Sequence, residues 1–246
     1  MYEFLKAVGT PLSNILYNHE VTGLENLPEG PAILASNHLA FVDSIFIPQA
    51  VGPKVHFLAK SDYFTTPGLK GAAMRQFFTR TGQLPMDRSG GSKSAESLQA
   101  GLDILAEGGY LGIYPEGTRS PDGRFYRPKT GVARLAMLSG APVIPVGQIG
   151  TDLVQRAGSN RPHARYAGQK ITVKTIIGKP LDFWHYTSRA EDYSVQRGVA
   201  DRIGQAIREL TGQAYVDVDA AKVKALMKSE NLTARQASEQ LLAEKA

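Results

Sequence analysis

Short apolar runs alternate with amphipathic stretches along most of the chain from residue 20 onward. The apolar runs predict β-strands and the stretches between them predict helices, so the alternation indicates a sheet with helices packed on it. We expect strands at residues 31–36, 55–60, 83–87, 111–116, 142–149 and 171–178. We expect helices at residues 43–51, 69–81, 92–107 and 131–139, followed by a more polar helix at 188–210.

The two ends of the chain differ from this central pattern. Residues 1–18 carry an apolar stripe that fits either a helix packed on the core or a membrane contact, but Gly9 and Pro11 predict an interruption. The last thirty or so residues are rich in Ala, Lys and Glu and have weak periodicity, which predicts a peripheral helical appendage. We therefore divide the chain into an N-terminal helical segment (1–19), an α/β domain (20–212) and a C-terminal helical tail (213–246).

Composition excludes several classes of protein and of site. The 246 residues are 42% hydrophobic and 21% charged, which is typical of a globular chain with a sizeable core and excludes a wholly disordered or fibrous one. The absence of Cys excludes disulfides, thiolate metal sites and a cysteine nucleophile. No two of the five His residues have the i, i+4 spacing of a helical metal site, so we expect no metal.

Positive charge is concentrated in two segments of the chain. The net charge is +5, and residues 54–93 alone hold seven basic residues against two acidic ones. Residues 119–134 hold five basic residues against one acidic residue. Localised positive charge predicts an anionic partner, which could be a phosphate, a nucleic acid or an anionic bilayer.

No segment of the sequence predicts a membrane span. The longest stretch without charge, residues 135–151, contains Gly and Pro and predicts the end of a helix followed by a buried strand. The N-terminus has neither the basic region nor the uninterrupted apolar region of a signal peptide. We therefore expect the protein on the cytoplasmic side.

The first candidate site is the segment at residues 36–43 (SNHLAFVD), which contains His38 and Asp43. Positions five apart lie about 140° from each other around a helix, so these two side chains cannot share a helix face. They can meet if His38 follows a strand and Asp43 lies in the first helical turn. A carboxylate bonded to one ring nitrogen leaves the other nitrogen as a base. Alternatively, Asp43 caps the helix and backbone groups satisfy His38.

Three further segments lie within or directly after apolar strands. Residues 114–120 (YPEGTRS) form a turn that presents Glu116 and Arg119, and a guanidinium is suited to phosphate. Taken alone, this segment could equally be an ordinary turn with a surface ion pair. Residues 83–88 (QLPMDR) place Arg88 directly after a strand, and residues 143–147 (VIPVG) alone predict only a core strand.

Taken in order, these four segments resemble the four sequence blocks of the glycerolipid acyltransferase family. Its best-known members are 1-acylglycerol-3-phosphate acyltransferases. The flanking residues 21–28 (VTGLENLP) and 129–136 (KTGVARLA) also match, and the resemblance covers roughly residues 20–180. It implies a single α/β acyltransferase domain, with a mixed sheet flanked by helices, a short N-terminal helix and a C-terminal helical appendage.

The resemblance also implies roles for individual residues. His38 would be the general base and Asp43 would orient it. Arg88 and Arg119 would bind the phosphate of a glycerol phosphate-type acceptor, as would Lys60, and Glu116 would hold the acceptor hydroxyls. The other implied substrate-binding positions are Asn37, Gly117 and Thr118.

The reaction implied by the resemblance moves an acyl group from a coenzyme A or acyl-carrier-protein thioester to a glycerol hydroxyl. The thioester is already activated, so we expect neither an enzyme nucleophile nor a cofactor. The N-terminal segment is shorter than the long apolar helices of many relatives, which favours peripheral attachment to the membrane surface over embedding.

Two alternatives remain open on the sequence. The acceptor could be glycerol 3-phosphate or a larger phospholipid-like alcohol, because the four blocks are shared across these activities. A non-catalytic domain that binds anionic lipid or nucleic acid could use the same basic segments, but the intact pair of His38 and Asp43 favours an enzyme. Phe77 and Phe78 fit a helix core better than a nucleic-acid surface, so we expect no nucleic acid partner.

Overall fold

The computed structural model describes residues 2–60, 62–80, 82–86, 92–157, 159 and 161–245. The strands in these ranges are β1 (Asn18–Thr22), β2 (Ala32–Ser36), β3 (Val55–Lys60), β4 (Leu84–Met86), β5 (Tyr110–Ile113), β6 (Phe125–Tyr126), β7 (Val143–Ile149), β8 (Arg165–Tyr166), β9 (Gln169–Lys170), β10 (Thr172–Ile177) and β11 (Tyr215–Val216). The α-helices are α1 (Tyr2–Leu16), α2 (Asp43–Ala50), α3 (Asp62–Thr65), α4 (Gly68–Arg80), α5 (Ser92–Ala106), α6 (Gly131–Ser139), α7 (Thr151–Val154), α8 (Tyr193–Thr211), α9 (Ala220–Glu230) and α10 (Ala234–Ala243). Short 3-10 helices lie at Leu24–Asn26 and Trp184–Arg189.

Seven strands form the central sheet in the order β1-β10-β7-β2-β5-β3-β4. Strands β7, β2, β5, β3 and β4 are parallel to one another, whereas β10 runs antiparallel to β7 and pairs in parallel with β1. The prediction of an α/β domain with a mixed sheet flanked by helices is confirmed. Because five adjacent strands point the same way, their carboxyl ends meet at one edge of the sheet, where open α/β sheets hold ligands.

The strand β2 lies at the centre of this parallel group, and all five of its residues are buried. Ile33 and Ala35 belong to the apolar cluster that α5, α6 and α8 form on one face of the sheet. Ala32 and Leu34 belong to the cluster on the opposite face, to which α2 contributes Ile47. Both faces of β2 are therefore covered, and this explains why its sequence is a continuous apolar run rather than an alternating one.

The N-terminal helix α1 continues through Gly9 and Pro11, so the interruption predicted there is wrong. A proline inside a helix removes one backbone donor, and contacts with the rest of the molecule offset that loss. Ser13 Oγ donates to Gln49 Oε1 of α2 at 2.9 Å, and Tyr17 after the helix packs edge-on against Phe46. No helix in the described part of the chain is long and apolar enough to cross a membrane.

The end of the chain packs on the domain rather than extending from it. Strand β11 pairs in parallel with β6, and α9 and α10 pack on each other and cover Tyr126 of β6. The helix α8 begins later than predicted, because Asp192 caps it by accepting from the backbone N–H groups of Ser194 and Val195. The predicted start at residue 188 falls instead in the preceding 3-10 helix.

Candidate active site

Asn37 fixes the direction in which the chain leaves the carboxyl end of β2. Its Nδ2 donates to the carbonyl oxygen of Gln148 at 2.9 Å, and the backbone N–H of Gln148 donates to its Oδ1 at 2.8 Å. Asn37 is wholly buried, so this reciprocal pair clamps β2 to β7 just before His38. The structure thus gives Asn37 a positioning role, and its implied contact with substrate stays a prediction.

His38 and Asp43 meet as the sequence spacing allowed, with His38 after β2 and Asp43 as the first residue of α2. The ring Nδ1 lies 2.8 Å from Asp43 Oδ2, and this oxygen also accepts from the N–H groups of Leu39 and Ala40 at 2.8 Å each. Because a carboxylate oxygen can only accept, Nδ1 carries the proton and Nε2 is the basic ring nitrogen. Asp43 therefore orients the ring and the loop that carries it, and does not act as the helix cap of the alternative interpretation.

Tyr114 holds the imidazole from one side. Its ring stacks on that of His38, with centroids 3.8 Å apart and planes 9° from parallel, and its hydroxyl oxygen lies 2.8 Å from Ser44 Oγ. Burial, together with the negative charge of Asp43, raises the pKa of Tyr114 well above its usual value. The phenol therefore stays neutral and serves as a packing surface for the imidazole of His38. The sequence carries one signal for Tyr114, its place at the start of the 114–120 segment.

Glu116 lies beneath the same loop and is wholly buried. Its Oε1 accepts from the backbone N–H of His38 at 3.2 Å, and its Oε2 accepts from the N–H of Tyr126 at 2.9 Å. Burial raises the pKa of Glu116 to about 8, against the lowering effect of these two donors and of Lys224. Most of Glu116 is therefore protonated at neutral pH. It braces the backbone of His38, and the expected contact with acceptor hydroxyls stays a prediction.

The turn at residues 114–120 is tied to His38 at its far end as well. The N–H of Ser120 donates to the carbonyl oxygen of His38 at 2.7 Å, and the N–H of Gly117 donates to that of Tyr114 at 2.9 Å. Gly117 has a φ of +72°, and a Cβ there would lie 2.9 Å from the side chain of Lys129. Only glycine fits this position without strain, so the sequence of the turn follows from its geometry.

The residues implied to bind phosphate lie along the same edge of the sheet, as far as they are described. Arg119 is half-buried in the turn, and the Oγ1 of its neighbour Thr118 accepts from Lys224 Nζ at 3.2 Å. Lys60 ends β3 at this edge, whereas Arg88 lies outside the described residues. The roles of these groups in binding phosphate stay predictions. Within the described ranges, no cluster of three or more His, Asp or Glu side chains is placed to hold a metal ion.

A cavity of about 430 Å³ adjoins the loop that carries the pair. Leu39 and Ser120, which flank the backbone of His38, contribute to its lining together with Leu153, Arg156 and Tyr166. The candidate site therefore borders on a concave surface lined by apolar side chains and by charged side chains of both signs, Arg156 together with Asp122 and Asp152.

Comparison with known proteins identifies related sequences. The family model described as Acyltransferase matches residues 18–148, which include the pair and the 114–120 turn. A chloroplastic 1-acyl-sn-glycerol-3-phosphate acyltransferase of Brassica napus is 32% identical over 179 residues, which are 71% of this chain and 47% of that protein. A 1-acyl-sn-glycerol-3-phosphate acyltransferase of Bacillus subtilis is 26% identical over 215 residues, which cover 85% of this chain and 96% of that protein. The chain thus spans about half the length of the plant relative.

The fold is also similar to a solved structure. The crystal structure of the 1-acyl-sn-glycerophosphate acyltransferase from Thermotoga maritima superimposes with a TM-score of 0.60 at 23% sequence identity. The match covers 85% of this chain and 79% of that one. At this level of identity the likeness concerns the fold alone.

Proposed function

Because this chain belongs to the acyltransferase family, we propose that it transfers a fatty acyl group from an acyl thioester to the free hydroxyl of lysophosphatidate, forming phosphatidate. The observation that carries this proposal is the 2.8 Å bond between His38 Nδ1 and Asp43 Oδ2 at the carboxyl edge of the sheet. The names of the relatives from Brassica napus and Bacillus subtilis support lysophosphatidate as the acceptor.

The chemistry needs one base and one leaving group. Nε2 of His38 removes the proton from the acceptor hydroxyl as its oxygen attacks the thioester carbonyl carbon, and the imidazolium is stabilised by Asp43. The tetrahedral intermediate then collapses, so that the C–O bond is kept, the C–S bond breaks and the proton passes from Nε2 to the departing thiolate. The donor is acyl-coenzyme A or the acyl carrier protein, and neither a covalent enzyme intermediate nor a cofactor takes part.

Thiol release tests this function directly. Purified protein is incubated with acyl-coenzyme A or acyl carrier protein and with lysophosphatidate, glycerol 3-phosphate or no acceptor. We expect thiol to appear with lysophosphatidate and phosphatidate to form in equal amount. Thiol release with glycerol 3-phosphate and not with lysophosphatidate would identify glycerol 3-phosphate as the acceptor, and the proposed acyl-transfer reaction would stand. No release with any pair of substrates, from protein shown to be folded, would favour a non-catalytic lipid-binding domain.

The acceptor phosphate is bound, in this proposal, by Arg119 together with Lys60 and Arg88. Arg119 stands in a turn whose two ends are held by His38 and by Lys129, so a phosphate bound there lies at a fixed distance from the base. A planar guanidinium donates two parallel hydrogen bonds to a phosphate, which an ammonium cannot do.

Replacing Arg119 with Ala is expected to raise the KM for lysophosphatidate about tenfold or more, since a charge-assisted hydrogen bond contributes roughly 1.5–3 kcal/mol. Arg119→Lys should restore only part of the affinity, and Arg88→Ala should behave like Arg119→Ala. Steady-state kinetics with each substrate varied in turn measure the effect. A normal acceptor KM combined with a raised KM for acyl-coenzyme A would reassign these arginines to the phosphates of the donor.

The amphiphilic substrates favour a peripheral position on the cytoplasmic side of the membrane, where a dissolved thioester donor can reach the site. Exposed apolar side chains on α1 support this placement, because Leu12 is 56% and Ile15 70% exposed. The adjoining α2 and the loop before it expose Ile45 and Phe41 close to the candidate base. Apolar side chains of this kind enter the interface of a bilayer, and the cation of Lys170, whose Nζ donates to the carbonyl oxygen of Asn14 in α1 at 2.8 Å, adds attraction to anionic lipid.

Binding to anionic liposomes is expected to fall as salt rises but to remain measurable, because salt screens exposed charges and leaves apolar contacts intact. A variant carrying both Leu12→Ser and Ile15→Ser should lose most of the salt-resistant fraction in a sedimentation assay. Leu242→Ser serves as the matched control, since this leucine is also exposed but lies on α10. Equal loss in both variants, or no binding at any salt concentration, would contradict membrane attachment through α1.

A further inference from the structure

The C-terminal tail packs against the candidate site. Strand β11 pairs in parallel with β6. The apolar side chains of α9 and α10 enclose Tyr126 of β6, whose backbone N–H donates to Glu116. The tail follows residue 212 and therefore lies wholly outside residues 18–148, which the family model matches. Any group that the tail contributes to the site is thus additional to the family blocks.

One such group is Lys224, which lies on α9. Its Nζ donates to Thr118 Oγ1 at 3.2 Å, which places the ammonium at the residue directly before Arg119. Its charge also acts on the interior of the site, because it lowers the pKa of the buried Glu116. Lys224 is therefore close both to the turn implied in phosphate binding and to the carboxyl group that braces His38.

The position of Lys224 is fixed by the packing of the tail. Asp219 caps α9 by accepting from the N–H of Ala221 at 2.7 Å, and Val223 on the same helix is wholly buried in the tail core. A second contact joins α10 to the residue directly before β6, where the Arg124 guanidinium donates to Ser238 Oγ at 2.9 Å. The ammonium is thus held by the fold as well as by Thr118.

We propose that Lys224 is a further phosphate-binding cation of the acceptor site, which acts beside Arg119; this inference rests on the function proposed above. A phosphate monoester carries a charge of about −1.5 to −2 at neutral pH, so it binds best where two or more cations converge. The ammonium of Lys224, at the residue directly before Arg119, supplies a second positive charge at this turn. Lys224 would therefore favour acceptors with a phosphate monoester over otherwise identical acceptors without one.

The test compares two lipids with the same acyl chain, lysophosphatidate and monoacylglycerol, and two charge-removing variants, Lys224→Met and Lys228→Met. Lys228 lies four residues further along α9 and is exposed, so it controls for the loss of one charge from this helix. Calorimetric titration measures lipid binding, and thiol release measures the KM for acceptor and donor. Thermal unfolding checks that the tail remains packed in each variant.

We expect Lys224→Met to weaken binding of lysophosphatidate and to raise its KM by about tenfold, with kcat, donor KM and binding of monoacylglycerol within twofold of wild type. Lys224→Arg should restore most of the affinity, and Lys228→Met should match wild type. Equal losses for both lipids would show a structural role, and unchanged lysophosphatidate binding would also overturn the inference. Wild-type protein that binds lysophosphatidate without acyl transfer would refute only the proposed function, whereas no binding would refute both.

Discussion

Replacing His38 with Ala is expected to lower kcat for acyl transfer by about 10²–10⁴, which is the usual contribution of a positioned general base. The effect follows from geometry, because the ring is the group that Asp43, Tyr114 and the backbone contacts of Glu116 and Ser120 jointly orient. The backbone contacts of His38 do not depend on its side chain, so the turn should keep its place. Single-turnover measurement of thiol release would separate the loss of chemistry from any change in product release.

The stability of this variant has to be measured alongside its activity. Asp43 is wholly buried, and in His38→Ala it loses one of the three donors that satisfy its Oδ2. A modest drop in the free energy of unfolding is therefore expected, and circular dichroism at the assay temperature must show that the protein is folded. Unchanged kcat in a folded variant would remove His38 from the mechanism.

Asp43→Asn gives the matched comparison for this result. The asparagine oxygen can still accept from the loop N–H groups of Leu39 and Ala40, but the negative charge that stabilises the imidazolium is lost. We expect kcat to fall while the KM for lysophosphatidate changes little. A rise in that KM with a normal kcat would instead indicate that Asp43 shapes the acceptor site and does not assist the base.

The sequence predicted the interior of the sheet more accurately than its surroundings. The expected strands at 31–36, 55–60 and 142–149 match β2, β3 and β7 to within a residue. For β2 the reason is that both of its faces are buried, so that its sequence is a continuous apolar run. The expected strand at 111–116 ends early, at Ile113, because residues 114–117 close a turn around Gly117. The continuity of α1 through Pro11 was missed, since it depends on contacts with α2 that local propensity does not record.

The same distinction between local and long-range contacts applies to the candidate site. The meeting of His38 and Asp43 could be predicted, because it depends on the short segment of residues 37–42 between the end of β2 and the start of α2. The burial of Glu116 and the stacking of Tyr114 could not, because partners far apart in sequence create them. The contact between Lys224 and Thr118 joins residues 106 positions apart, and no spacing rule connects a tail helix with a turn at the sheet edge.

Glu116 is expected to make the protein less stable as pH rises. Its pKa rises from 4.5 in a solvated chain to about 8 in the folded protein, mainly because the carboxyl group is buried. Between these two pH values the unfolded chain has released the proton, whereas the folded protein still binds it. The contribution of Glu116 to the free energy of unfolding is therefore complete below pH 4.5 and is lost as pH rises through 8. At about 1.4 kcal/mol per pKa unit, the change across this interval is on the order of 5 kcal/mol.

The variant Glu116→Gln isolates this titration from all others. A glutamine does not titrate, and its amide leaves one of the two backbone donors, those of His38 and Tyr126, without an acceptor, which costs about 1–3 kcal/mol at every pH. The free energy of unfolding of wild type minus that of Glu116→Gln should therefore be largest at pH 4.5 and below, and should fall by several kcal/mol up to pH 8.5. Denaturant unfolding at a series of pH values measures this difference, and the contributions of all other titrating groups cancel in it. A difference that stays constant with pH would mean that Glu116 is ionised in the folded protein, in which case the brace beneath His38 carries a negative charge at neutral pH.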